Sequence, residues 1–259
     1  MTTKHYAAFN KLFEALLYRH DVPTVFDDFL TLTLSALAIG RAESVYEETI
    51  KRYRPEDQSM FGRMFAELFL AYDERSSPDG GWADILGHFF EEHNGKFGRD
   101  ARGQFFTPET VCNFMAQITA ADAVADGDEP ITVNDCAVGS GRNLIAHSRL
   151  HPSNRTRCFY VGQDIDHRCV KMTAINMAMY GMRGVSIHMD TLRMEVWGGY
   201  RVWLPETGMG VQPLSKAQCI SFLMGPKESE PIPKANDDLP VLVNAVKVQP
   251  MNPTQFQLF

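Results

Sequence analysis

The sequence predicts an α/β fold: a parallel sheet with helices between its strands, preceded by an all-helical region. Three observations carry this prediction. Over residues 1–95 the apolar residues recur at helical spacing. From about residue 105 short apolar runs alternate with helical segments, the pattern of β-α-β units. Between the first of those runs and the helix after it lies an acidic, glycine-rich stretch, Asp135-Cys136-Ala137-Val138-Gly139-Ser140-Gly141.

The elements follow in order. Phe9, Leu12, Phe13, Leu16 and Leu17 form one face of a first helix. The segment TVFDDFLTLTLSALAIG is apolar on most faces and predicts a buried helix closed by Gly40. Met60, Phe61, Met64, Phe65, Leu68, Phe69 and Tyr72 form a third stripe, a turn follows at SSPDGG, and WADILGHFFEEH predicts a short helix. Thr107 and Pro108 suit the cap and first residue of the next helix. ITVNDC, CFYVGQD and VSIHMD predict three strands. RNLIAHSRL and HRCVKMTAINMAMYG predict the helices between them, the second capped by Asp166 and closed by Gly181. CISFLMGPKE is expected to be a fourth strand, and LPVLVNAVKV resembles a strand in an otherwise Pro- and charge-rich tail.

Composition narrows the function classes. A net charge of -7 weighs against a surface devoted to phosphate binding. The one basic stretch, Arg142 to Lys171, is expected to be a solvated face. Five scattered cysteines form no C-x-x-C pair, which points to neither a zinc site nor a disulfide framework. No apolar run reaches the ~18 residues of a membrane span, and the N-terminus lacks a secretory pattern. The expected location is the cytoplasm.

The glycine stretch discriminates among nucleotide-like ligands. A phosphate-binding P-loop needs Gly-Lys-Ser/Thr, but Arg142 and Asn143 follow Gly141. A dinucleotide fingerprint needs a third glycine, which is absent. What remains is an acid, Asp135, one short loop before Gly139 and Gly141, suited to a ligand carrying an ammonium group. S-adenosylmethionine has one and carries no phosphate. Asp164, at the end of the second strand, stands about 20 residues past the loop, the spacing of a ribose-hydroxyl acceptor. Asp190, at the end of the third, could accept from an adenine amino group.

Five segments occur in a telling order: GQFFTPETVCNFM (103–115), DCAVGSG (135–141), GQDID (162–166), NMAMYGM (176–182) and MDTL (189–192). Together they resemble the modification subunits of type I restriction–modification systems, a family of N6-adenine DNA methyltransferases. The resemblance implies a class I S-adenosylmethionine-dependent, Rossmann-like methyltransferase sheet behind an N-terminal helical domain. Its implied partition is a helical domain at 1–98, an S-adenosylmethionine-binding domain at 99–227 and a tail at 228–259. The implied cofactor is S-adenosylmethionine or S-adenosylhomocysteine. Phe106, Thr107 and Pro108 would contact its methionine part, with Asp135, Gly139, Ser140, Gly141, Asp164 and Asp190 completing the site.

The family also carries Asn/Asp-Pro-Pro-Phe/Tyr after its fourth strand. There the acceptor and a proline carbonyl localise the lone pair of the flipped adenine's amino group, and the aromatic ring stacks on the base. No Asn-Pro-Pro occurs in this chain, and the candidate position holds Met224-Gly225-Pro226-Lys227. Little or no methylation by the isolated chain is therefore expected. Two functions remain open: an adenine methyltransferase whose missing parts come from a partner subunit, which would also supply DNA contacts, or from an unusual active site, and a non-catalytic accessory or regulatory protein of DNA processing. The final Gln255-x-x-Leu258-Phe259 resembles peptides that bind the bacterial sliding clamp, with Gln255 as a polar anchor and Leu258 and Phe259 filling an apolar pocket.

Overall fold

The computed structural model describes residues 3–75, 81–96, 105–120, 131–150, 157–203 and 210–224. Five helices come first: α1 (Lys4–Leu16), α2 (Val22–Leu37), α3 (Glu43–Ile50), α4 (Pro55–Arg75) and α5 (Ile85–Glu92). Then follow α6 (Glu109–Ala120), β1 (Ile131–Asp135), α7 (Arg142–Leu150), β2 (Cys158–Asp164), α8 (His167–Met179) and β3 (Gly184–Asp190). The last elements are β4 (Glu195–Trp203), β5 (Gly210–Leu214) and α9 (Lys216–Leu223). Among the described residues no helix is long and apolar enough to cross a membrane.

The helical stripes become core. Phe9, Phe13 and Leu16 of α1 are buried, as are Phe61, Met64, Leu68 and Tyr72 of α4. Asp21 caps α2 by accepting from Thr24 N–H, and Gly40 takes the left-handed conformation (φ 76°) just beyond its end. One apolar cluster runs from these helices through α7 and α8 to Val202 and Val211 of the sheet. Polar contacts follow the same seam. Lys171 Nζ of α8 donates to Asp27 Oδ1 of α2 at 2.7 Å, and Tyr72 of α4 hydrogen-bonds Asn176 of α8.

The sheet order is β1-β2-β3-β4-β5. β1, β2 and β3 are parallel, with Val133 opposite Tyr160 and Val161 opposite Val185. This is the expected α/β, Rossmann-like arrangement, with α7 and α8 as crossovers. Asp166 caps α8 by accepting from Arg168 N–H at 2.9 Å, as expected.

Three sequence expectations give way. The sheet is mixed, because β4 and β5 run antiparallel on the far side of β3. Gly198-Gly199 breaks the alternation of β4, and Pro213 lies in a strand paired on one side only, where its missing N–H is tolerated. Residues 219–223 are helical, not a fourth strand. Ser215 and Gln218 form a capping box, and Cys219, Phe222 and Leu223 recur at helical spacing to pack on the sheet. Finally, three cations of the basic stretch, Arg142, Arg168 and Lys171, are internal rather than on a solvated face. Arg142 pairs with Asp84 and Glu91, Arg168 with Asp166, and Lys171 with Asp27. The tail strand 239–248, residues Gly225, Pro226 and Lys227, and the clamp-like residues Gln255, Leu258 and Phe259 lie outside the described residues.

Candidate functional site

Ligands of parallel α/β sheets gather beyond the carboxyl ends of the strands. Asp135, Asp164 and Asp190 are the last residues of β1, β2 and β3, so the topology puts all three carboxylates at one end of the sheet. The loop after β1 turns back onto β2, where Val138 N–H donates to the Gln163 carbonyl at 2.9 Å. Gly139 and Gly141 take positive φ angles of 57° and 97° to complete that turn.

Gly139 is the junction of the site. Its N–H donates to Asp164 Oδ2 at 2.8 Å, and a Cβ built on it would lie 2.8 Å from the Phe106 ring. Phe106 and the glycine loop are thus in direct contact across a gap of 33 positions. Asp164 Oδ1 also accepts from Asp166 N–H at 2.9 Å. A carboxylate offers about four acceptor positions, so Asp164 retains capacity for hydroxyl donors. Burial pushes its carboxyl above the usual range, against the opposing hydrogen bonds from the Asp166 and Gly139 amides. Asp135 is held by Ala137 N–H at 3.1 Å and Asn143 Nδ2 at 3.0 Å. Asp190 accepts from Arg193 N–H at 3.0 Å, and the neighbouring Thr191 hydroxyl donates to the Cys136 carbonyl at 3.0 Å. That last bond ties the end of β3 to the loop after β1. Ile165 and Leu192, beside Asp164 and Asp190, expose their apolar side chains.

Gly139→Ala is expected to cost ~2–4 kcal/mol, combining left-handed backbone strain with overpacking against Phe106. The urea midpoint measures it. A change below ~0.5 kcal/mol would mean that Phe106 is not seated on the loop.

Other expected site residues serve the framework. Ser140 is buried, and its hydroxyl donates to Asp84 Oδ2. The Thr107 carbonyl accepts from Arg142 Nη1 at 3.3 Å, and the first helical bond runs from Cys112 N–H to the Pro108 carbonyl, so α6 starts one residue later than expected. Pro108 is exposed at that start. Met224 is the C-cap of α9 and is exposed, so it follows a helix and not a strand.

A buried polar network behind the loop is a feature that the sequence reading missed. Asp84, 1% exposed, caps α5 by accepting from Gly87 N–H at 2.8 Å. It also accepts from Arg142 Nε at 2.8 Å and from Asn176 Nδ2 at 2.9 Å. Arg142 Nη2 reaches Glu91 Oε2 at 2.8 Å, and Glu91 Oε1 accepts from Phe106 N–H at 3.0 Å. Burial alone would lower the Arg142 pKa, but Asp84 and Glu91 outweigh it and hold the guanidinium above its usual value. Arg142 following the second glycine, with two acids seven residues apart upstream, is the signal that was available. A cavity of about 350 Å³ borders this network, lined by Tyr6, His88, Glu91, Pro108, Thr110 and Arg142 among others. None of the strand-end acids lines it, whereas Pro108 does.

Comparison with known proteins adds a family. Residues 82–201 match the family model described as N-6 DNA Methylase. No curated protein matches the chain. Among solved structures, it is similar to the methyltransferase subunit of a type I restriction-modification system from Streptococcus thermophilus, at 16% identity and a TM-score of 0.40. That alignment covers 69% of this chain and 56% of the other, so the chain spans little more than half of that subunit. It is also similar to a protein from Listeria monocytogenes assigned as a class I S-adenosylmethionine-dependent methyltransferase, at 12% identity and a TM-score of 0.37, covering 75% of this chain and 67% of that one. The match runs from Trp82, just ahead of α5, to Arg201 in β4, and over that segment, a little under half of its length, the chain is similar to the N-6 DNA methylase family.

Proposed function

We propose that the chain binds S-adenosylmethionine at the rim of β1–β3 and serves adenine-specific DNA methylation together with a partner subunit that contributes the DNA contacts. The observation that carries this reading is the junction at Gly139, where the Phe106 ring and the Asp164 carboxylate meet the glycine loop. The residues fit the ligand. Asp164 and Asp190 keep acceptor positions for ribose hydroxyls and an adenine amino group. Exposed Ile165 and Leu192 offer apolar surface to a flat ring. Asp135 and the segment Phe106-Thr107-Pro108 flank the loop on the side assigned to the amino-acid end. When bound, the cofactor supplies a sulfonium-activated methyl group. What the protein contributes is orientation and exclusion of water.

Titration calorimetry with S-adenosylmethionine and S-adenosylhomocysteine tests the reading. Asp164→Ala is expected to weaken binding by ~1–3 kcal/mol, roughly 5- to 150-fold. Absence of binding to the unmodified chain at millimolar ligand would falsify the proposal. Transfer of labelled methyl to DNA, assayed with the same preparation, separates cofactor binding from catalysis. The accessory reading has no observation of its own in the fold.

A further inference from the structure

Arg142 is surrounded by more specific contacts than a solvated helix start requires. Its Nε donates to Asp84 at 2.8 Å, its Nη2 to Glu91 at 2.8 Å, and its Nη1 to Glu91 and the Thr107 carbonyl, both at 3.3 Å. Its guanidinium carbon lies 5.3 Å from the centre of the Phe106 ring. The residue therefore touches both stretches assigned to the amino-acid end of the cofactor, the glycine loop by chain continuity and Phe106-Thr107 by contact. It also grips α5, through Asp84 and Glu91. Four of the five N–H donors of its fork are engaged by these partners, which fixes the plane and position of the guanidinium. Glu91 completes the clamp by accepting Phe106 N–H at 3.0 Å. Ser140 and Asn176 fix Asp84 from the other side.

We propose that Arg142, held by Asp84 and Glu91, is a positioning residue that makes α5 of the helical region the support for the amino-acid half of the cofactor site and leaves the adenosine half to the strand-end acids. This rests on the cofactor reading above. The division of labour follows from the contacts: Asp190 has no bond to this network, and Asp164 meets it only through the backbone of Gly139. Lysine cannot replace Arg142, because one ammonium cannot span two carboxylates and a carbonyl with the geometry of a planar fork.

The test uses two ligands and two variants of the full chain. S-adenosylhomocysteine has both halves, whereas 5′-methylthioadenosine lacks the amino-acid half. Arg142→Gln and the milder Glu91→Gln should each weaken S-adenosylhomocysteine binding, roughly ten- to hundredfold for the first, with 5′-methylthioadenosine affinity changed less than about twofold. Equal weakening of both ligands, or of neither, overturns the assignment. A general loss of fold would weaken both, so the pair of ligands separates positioning from mere stability. If the unmodified chain binds neither, it is the cofactor reading that fails. Hydrogen exchange gives a readout that needs no ligand. In Glu91→Gln the amides of residues 105–112 and 136–141 should exchange faster, while those of β3 keep their protection. Unchanged exchange in the first two segments also overturns the proposal.

Discussion

Asp84→Ala should lower the stability of the chain by ~3–5 kcal/mol, because it removes one partner of a buried ion pair and leaves the other charge in place. Asp84 is fully shielded, and four groups depend on it: the Gly87 amide, the Ser140 hydroxyl, Arg142 Nε and Asn176 Nδ2. Alanine would strand three buried donors and remove the cap of α5. Glu91 still balances part of the Arg142 charge, which keeps the loss from being larger. For a chain of this size the midpoint of thermal unfolding should fall by roughly 6–20 °C. Asp84→Asn keeps an acceptor for Gly87 and should cost less than half as much. A urea-derived loss under ~1 kcal/mol for Asp84→Ala would show that the network is not a structural bond between α5 and the loop.

Phe89→Ala should be comparably damaging, at ~3–5 kcal/mol. The Phe89 ring meets Phe13 at 4.7 Å edge-on, Phe9 at 5.2 Å edge-on, and stacks on Phe26 at 5.2 Å and His93 at 4.3 Å. It thus joins α1, α2 and α5, and no neighbouring side chain can collapse into the space without giving up a ring contact of its own. Phe65→Ala, on the partly buried flank of α4, is the comparison. It should cost less than half as much. Equal losses in the two variants would mean that burial at Phe89 has been misjudged.

Both residues illustrate what a sequence discloses. Phe89 lies on a segment whose helical period is plain, and so do Phe9, Phe13 and Leu68. The strand-end acids were legible for a similar reason. β1, β2 and β3 are apolar runs that stop at an aspartate, and a parallel sheet fixes which end those aspartates share. Asp84 was not legible. Its four donors come from residues 87, 140, 142 and 176, and no local pattern relates a cap residue to a loop more than fifty positions away. The β4–β5 hairpin was hidden by glycines where alternation should show, and by a proline allowed only because the strand is at an edge. In α9 a short apolar run fits either period. What decided it was Ser215 paired with Gln218, a signal three residues long.

The seam between α2 and α8 has a consequence for how the chain is made. Lys171 and Asp27 meet across 144 positions of sequence. At synthesis rates of ~5–20 residues per second, α2 emerges roughly 7–30 s before its partner exists. During that interval a helix buried in the native state on most of its faces, from Val22 to Leu34, lacks the cover of α8 and has chiefly α1, α3, α4 and α5 to pack against. Nascent chains are therefore open to capture by holdase chaperones, or by one another, until residue 171 leaves the ribosome. A ribosome stalled before β2 would display that surface permanently.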